Sequence, residues 1–110
     1  MNWPRGDAGA QAFIRLQIDV ALWEETLLQA VEAYPHAKRM RRRAQRVARE
    51  LRPYVAVRSH MGNIGDTLSA VANLVGAALE TREAALDPLK TGVMILGKLR
   101  CDLAQSFKSR

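Results

Sequence analysis

Arginine and lysine side chains crowd one short stretch of the chain, and their chemistry is that of anion binding. Eight of the fifteen residues from Lys38 to Arg52 are basic, and Glu50 is the only acid among them. Guanidinium groups bind phosphate and carboxylate oxygens bidentately, with an affinity for polyanions that falls as salt rises. The residues predicted to contact phosphates or an acidic partner are Lys38, Arg39, Arg42, Arg43, Arg46 and Arg49.

Residue types that serve in catalysis are present, but their spacing does not suit it. Glu24 and Glu25 are adjacent, so on a helix they point about 100° apart and cannot act as a carboxylate pair. Cys101 lies close to Lys98 and Arg100 in a helical stretch, where an inert packing role is favoured over a reactive thiol. The sequence has no nucleophile-elbow motif and no phosphate-cradling glycine loop. We predict no catalytic residues and no enzyme activity.

The histidines and the single cysteine do not form a metal-binding pattern. His36 and His60 have no second histidine or carboxylate at ligand spacing, because Pro35 interrupts the helix between Glu32 and His36. One cysteine can form neither a cysteine-based zinc site nor an intrachain disulfide, which fits a reducing compartment. We therefore predict no metal and no cofactor, and no small-molecule substrate is apparent.

The basic stretch has the periodicity of an amphipathic helix. Its apolar residues recur at helical spacing opposite the charges, at Ala37, Met40, Ala44, Val47, Leu51 and Tyr54. This pattern predicts helix 2 over about residues 37–52, with a buried apolar edge and an outward basic edge. Pro53 is expected to end or kink the helix near Leu51.

Helix 1, predicted over about residues 8–33, carries two apolar rows. The first repeats every three and four residues and is predicted to form the core or a dimer seam, anchored by Phe13, Leu16, Val20, Trp23 and Leu27. The second row contains Ile14, Ile18, Ala21 and Leu28. It widens the apolar face, as expected for a helix buried in a bundle. Pro35 then requires a tight turn, so helix 2 should fold back antiparallel.

Two further helices are predicted after a loop over residues 59–65. Asp66 is the expected N-cap of helix 3, over about residues 66–86. Small residues along this helix permit close packing on a neighbouring helix or on another chain: Gly65, Ser69, Ala72 and Gly76. Asp87 and Pro88 predict the start of helix 4, over about residues 88–107. The alternative is one long helix kinked at Pro88.

The composition is that of a single folded domain covering residues 1–110. Hydrophobic residues make up 48% and charged residues 25%, as in ordinary globular proteins. Net charge alternates, at −3, +8, −3 and +4 over residues 1–35, 36–58, 59–87 and 88–110, so that neighbouring helices would carry opposite charge. The predicted fold is all-α, an antiparallel bundle of four helices, or of three with the last long and kinked at Pro88.

Membrane association is not expected. The longest notable uncharged apolar run, residues 67–79, spans thirteen residues and is shorter than the roughly twenty needed to cross a bilayer. Residues 1–7 lack the charged start and apolar run of a secretory signal. Behind its charges, helix 2 offers mainly alanine, valine and methionine, which insert poorly into a membrane surface. We predict a cytoplasmic protein.

Two functions suit these features. The first is a small, non-catalytic adaptor or regulator that self-associates, as a homodimer, and engages an acidic protein surface through helix 2. The alternative is a nucleic-acid-binding regulator that uses the same arginines on phosphates. A helix-turn-helix starting near Val47 would put Arg52 at a turn position usual for glycine and Arg58 at a buried aliphatic position. That motif is therefore not matched, and the basic face has no aromatic residue for base stacking.

Overall fold

The computed structural model describes residues 7–56, 62–80 and 86–108, with side chains at 11–56, 62–80 and 86–105. Every element in these ranges is an α-helix, and there are four of them. They are α1 (Asp7–Glu32), α2 (Ala37–Ala56), α3 (Asn63–Glu80) and α4 (Leu86–Lys108). Of the predicted 59–65 loop only residues 62–65 are described.

The four helices form an antiparallel bundle. Each helix packs on its sequence neighbours, and α4 closes the bundle by packing on α1, so α1 lies diagonally across from α3 and α2 from α4. The bundle measures 45 × 24 × 17 Å. The predicted all-α fold is confirmed in its four-helix form. Because α3 and α4 pack against each other, the alternative of one long helix kinked at Pro88 is wrong.

One continuous core runs through the bundle. On α1 the first apolar row points inward, and its five predicted anchors are buried: Phe13, Leu16, Val20, Trp23 and Leu27. The buried residues of α2 are Met40, Ala44, Val47 and Leu51. Leu68, Val71 and Val75 of α3 and Leu89, Leu96 and Leu103 of α4 complete the interior. The chain's own helices therefore cover the row that was predicted as a core or dimer seam.

The second row of α1 lies on the opposite side of the helix from the core. Ile14 is 45% exposed, Ile18 53% and Leu28 43%, and the neighbouring Leu22 is 50% exposed. The expectation that this row would be buried within the bundle is wrong. A helix at the corner of a four-helix bundle buries only the side that faces its two neighbours and the diagonal helix. The first row already fills that side.

Two local predictions need correction. Helix α2 continues through Pro53 to Ala56 instead of ending near Leu51. Its last turn is anchored from the side, because the Tyr54 hydroxyl donates a hydrogen bond to Asp19 Oδ2 at 2.8 Å. Helix α3 begins at Asn63, so Asp66 lies within the first turn and is not the N-cap. The Asp66 amide donates instead to the carbonyl of Gly62, whose φ of 60° suits glycine.

The small residues of α3 are turned toward the chain's own helices at one end of the row. Gly65 and Ser69 are buried, while Ala72 and Gly76 are half-buried. Close packing within the bundle therefore accounts for Gly65 and Ser69. A side chain added at Gly76 would meet nothing within 4 Å, so this end of the row faces open space.

A candidate polyanion-binding surface on α2

The six basic residues predicted as contacts share the outward side of α2. Lys38, Arg39, Arg42, Arg43, Arg46 and Arg49 are all exposed, and we call this set the arginine face. Met40, Ala44, Val47 and Leu51 hold the opposite side in the core. Because that apolar side is buried, the six basic side chains point away from the core. The fold thus fixes a row of positive charge on the surface.

Most of the arginine face has no partner among the residues that the structure describes. Arg46 Nε lies 3.1 Å from Glu50 Oε2 in an exposed pair, and Arg43 donates to the side-chain oxygen of Gln29 on α1. In the part of the chain that the structure describes, Lys38, Arg39, Arg42 and Arg49 form neither ion pairs nor side-chain hydrogen bonds. Their exposed guanidinium and ammonium donors are therefore open to an incoming anion.

A shallow groove of about 530 Å³ runs between α1 and the arginine face. Its lining residues are Thr26 and Gln29 of α1 with Arg39, Arg42, Arg43, Arg46, Arg49 and Glu50 of α2. Five guanidinium groups thus surround one groove, and a hydroxyl and an amide line its opposite wall. The Thr26 hydroxyl donates to the carbonyl of Leu22 at 2.8 Å, so the side-chain amide of Gln29 is the α1 group that can donate to an anion in this groove, together with the arginines of α2.

A polar cluster fixes α1 against α2 beneath the groove. Trp23 Nε1 donates to Glu50 Oε1 at 3.4 Å, so the carboxylate is held between the indole and Arg46. The Trp23 ring also meets the Tyr54 ring edge-on at a centroid distance of 5.3 Å. These contacts hold the two helices in register. They also occupy Glu50, the single acid of the groove.

The same cluster perturbs the titration of Tyr54. Burial, aided by the hydrogen bond to Asp19 and the charge of that carboxylate, raises the pKa of Tyr54 to about 12. Arg15 opposes this shift through its positive charge, from a position 3.5 Å from Asp19 Oδ1. The phenol is therefore neutral over the whole physiological range and serves as a hydrogen-bond donor.

Arg41 differs from the six predicted contacts. It is half-buried, and its Nη1 donates to the carbonyl of Leu79 at 2.8 Å, close to the C-terminus of α3. A cation at this position also interacts favourably with the negative, C-terminal end of the α3 helix dipole. Arg41 therefore joins α2 to α3 and does not belong to the arginine face.

Thr26 and Gln29 were missed as groove residues by sequence reasoning. They lie on α1, and nothing in their types marks them as binding residues. The signal was in the hairpin itself, since residues about equally distant from His36 face each other across α1 and α2. Gln29 then falls opposite Arg43, and Trp23 falls opposite Glu50.

The other residues considered for chemistry remain separate. His36 is exposed at the start of α2, and His60 lies outside the described residues. Cys101 is exposed, so the favoured packing role is wrong: its neighbours Leu99 and Leu103 occupy the buried positions of α4. Arg100 Nε donates a hydrogen bond to Glu24 Oε1 at 2.8 Å, and this hydrogen bond raises the pKa of Arg100. Among the described residues, no group of three or more His, Cys, Asp or Glu is placed to hold a metal ion.

Comparisons with known proteins gave no relative. No protein-family model matches the chain, and neither curated proteins nor solved structures match it. None of the four helices, over the residues described, is both long enough and apolar enough to cross a membrane.

Proposed function

We propose that this protein is a non-catalytic binding protein that contacts the phosphate backbone of a structured nucleic acid through the arginine face. One observation carries the proposal. The arginine face is exposed along α2, most of its cations have no protein partner in the described structure, and it contains no large apolar side chain.

The geometry of the row suits a polymer of phosphates better than a single anion. Arg39, Arg42, Arg46 and Arg49 follow one another at intervals of three and four residues, over about 15 Å of helix axis. Each guanidinium can bind one phosphate bidentately, and every contact releases counterions from the nucleic acid. Four to six such contacts make binding steeply salt-dependent, with a loss of roughly 100- to 1,000-fold between about 50 and 200 mM salt.

The composition of the face favours nucleic acid over an acidic protein. The core of a protein–protein interface is depleted in charge and relies on aromatic and aliphatic anchors. From Lys38 to Arg52, the exposed side of α2 offers charged residues and Gln45, and its larger apolar residues are buried. Protein–nucleic acid interfaces are polar and strongly positive, as this surface is.

The same composition indicates which feature of the nucleic acid is read. No aromatic side chain lies on the arginine face, so stacking of unpaired bases has no platform there. Contacts to phosphate carry no sequence information by themselves. We therefore propose recognition of a duplex or another ordered backbone, with little sequence preference.

Fluorescence anisotropy with labelled DNA duplex, RNA duplex, single strand and polyglutamate tests the proposal. The informative variant is Arg42→Glu with Arg49→Glu, because neither side chain has a protein partner in the described structure. The matched control is Lys90→Glu with Lys98→Glu, which changes net charge equally on the exposed side of α4. We expect the α2 variant to bind duplex at least roughly 100-fold more weakly at about 50 mM salt, with the control close to wild type.

The alternative of an adaptor for an acidic protein predicts a different result. The wild type would then bind polyglutamate in preference to duplex, and reversal on α2 would abolish that binding. Equal loss in the α2 variant and the α4 control would mean that only net charge matters, which contradicts a built surface. Absence of duplex binding by the wild type at low salt would overturn the nucleic-acid proposal.

A further inference from the structure

A second surface, on the outer side of α1, is mainly apolar and is covered by none of the other described helices. Ile14, Ile18, Leu22 and Leu28 are each exposed by between 43% and 53%, and half-buried Ala21 lies among them. At 100° per residue they fall within about 120° of arc, directly opposite the core row of the same helix. We call these five residues the outer row.

We propose that the outer row binds a second copy of this chain, with the two α1 helices antiparallel about a twofold axis near Ala21. An isologous interface must be complementary to itself. The outer row has this property, because Ile14 and Leu28 lie equally far from Ala21 on either side. Ile18 and Leu22 share nearly the same midpoint, so each apolar residue meets an apolar residue of the other copy.

Charge complementarity selects a second copy in this orientation. Glu25 is exposed within the arc of the outer row, and covering it without a partner would be costly. Arg15, whose side chain is 76% exposed, lies six residues before Ala21 and Glu25 lies four after it, so the midpoint of this pair falls within one residue of the proposed axis. The antiparallel arrangement therefore places Arg15 of one copy beside Glu25 of the other, twice per dimer. A parallel arrangement would place Glu25 beside Glu25 and Arg15 beside Arg15.

The residue near the proposed axis allows the helices to approach closely. Ala21 has the smallest side chain in the outer row, and its midpoint position makes it contact its own copy. Antiparallel helices in contact lie about 8–10 Å apart. Large side chains on either side of Ala21 then interlock, as ridges and grooves do at other helix pairs.

The proposed symmetry has a consequence for the arginine face. In the bundle α2 and α4 flank α1 on opposite sides, and the twofold axis runs in the direction from α4 to α2. Both arginine faces therefore point to the same side of the dimer. With 8–10 Å between the two α1 helices and between each α1 and its α2, the two α2 helices lie roughly 20 Å apart. Their arginine faces then form one extended basic surface. The dimer itself does not depend on nucleic-acid binding.

Multi-angle light scattering and cysteine cross-linking test the pairing directly. Scattering should give a dimer mass that declines toward the monomer on dilution. Ile18→Gln with Leu22→Gln, which keeps net charge, should weaken dimerisation at least roughly 100-fold, since each substitution occurs twice. Met94→Gln is the matched control, since Met94 is, among the described residues, the most exposed large apolar side chain, at 74%, and lies on α4. Circular dichroism should show both variants as helical as the wild type.

Orientation is tested in a Cys101→Ser background, because Cys101 is exposed. Ala21→Cys should form a disulfide-linked dimer under mild oxidation, and Ile14→Cys should not link to itself. A mixture of Ile14→Cys and Leu28→Cys chains should link. Arg15→Glu and Glu25→Arg should each weaken the dimer, and the double exchange should restore it.

Three results would overturn the proposal: a monomer mass at every concentration, a dimer unaffected by the change at Ile18 and Leu22, or self-linking of Ile14→Cys. None of them bears on the arginine face, because duplex binding by the Ile18→Gln, Leu22→Gln monomer is measured separately. If that monomer still binds duplex, the proposed function stands without the dimer.

Discussion

The outer faces of α1 and α2 are opposites, although both helices bury an apolar row of the same spacing. On α1 the outward side is again apolar, with Ile18 and Leu22 about half exposed. On α2 it is almost purely cationic, and Arg42 and Arg49 have no partner in the described structure. The inward rows build the bundle, so they say little about function. The outward sides differ in chemistry: the outward side of α1 is suited to contact another apolar surface, and the outward side of α2 is suited to contact anions.

Two adjacent leucines on α1 give the largest expected difference between the inward and outward sides. Leu27 is fully buried, whereas Leu28 is 43% exposed. Leu27→Ala should lower the free energy of unfolding by about 2–5 kcal/mol, because it removes core contacts and leaves a cavity. Leu28→Ala should cost less than about 1 kcal/mol in the monomer.

Urea unfolding followed by circular dichroism, at concentrations low enough to keep the chain monomeric, measures both leucine variants. Similar losses for the two would mean that the outer row also stabilises the monomer. That outcome would remove the contrast between the two sides of α1.

The next effect comes from the polar cluster between α1 and α2. Tyr54→Phe removes the hydrogen bond to Asp19 and should cost about 1 kcal/mol at neutral pH. The folded-state pKa of Tyr54, about 12, lies above the value of 10.0 for an unperturbed tyrosine. The unfolded state therefore loses its proton first, and the wild type should lose stability as pH rises from 10 toward 12.

Unfolding of wild type and Tyr54→Phe between neutral and alkaline pH separates this contribution from other titrations. The difference in stability between the two should be constant below pH 10 and shrink as pH approaches 12. A difference that persists unchanged at the highest pH would show that folding does not raise the pKa of Tyr54, which contradicts the environment described for its hydroxyl.

The smallest expected effect concerns the stability of the arginine face itself. Arg42 and Arg49 are surrounded by like charges, so Arg42→Gln with Arg49→Gln should leave stability unchanged or raise it by a few tenths of a kcal/mol at low salt. The gain should disappear at high salt, where the charges are screened. Thermal unfolding at two salt concentrations measures it, and a clear loss of stability would assign these arginines a structural role.

Sequence periodicity was sufficient to predict the helical bundle and to predict which side of α2 faces outward. It was insufficient for the second row of α1, because an apolar row at helical spacing does not reveal whether a neighbouring helix covers it. That depends on the number of neighbours at a bundle corner, which only the packed structure provides. The expected end of helix 2 near Leu51 was wrong for a similar reason, since Tyr54 and Asp19 anchor the turn around Pro53 from another helix.

The groove was only half predictable. The arginines could be predicted from the composition of α2. Thr26 and Gln29 line the groove because the hairpin places α1 beside α2. Arg41 is equally basic, yet it bonds the backbone of α3. Which cations stay available is decided by their angular position around α2 relative to the neighbouring helices.

The salt dependence of duplex binding tests the central claim most directly. The logarithm of the affinity, plotted against the logarithm of the salt concentration, should fall with a slope of about −0.9 for each phosphate contact. Arg42→Gln, Arg46→Gln and Arg49→Gln, introduced one after another, should each reduce the steepness of that slope by about 0.9, while Lys90→Gln and Lys98→Gln should leave it unchanged. A slope that is the same in all variants would contradict the assignment of phosphate binding to the arginine face.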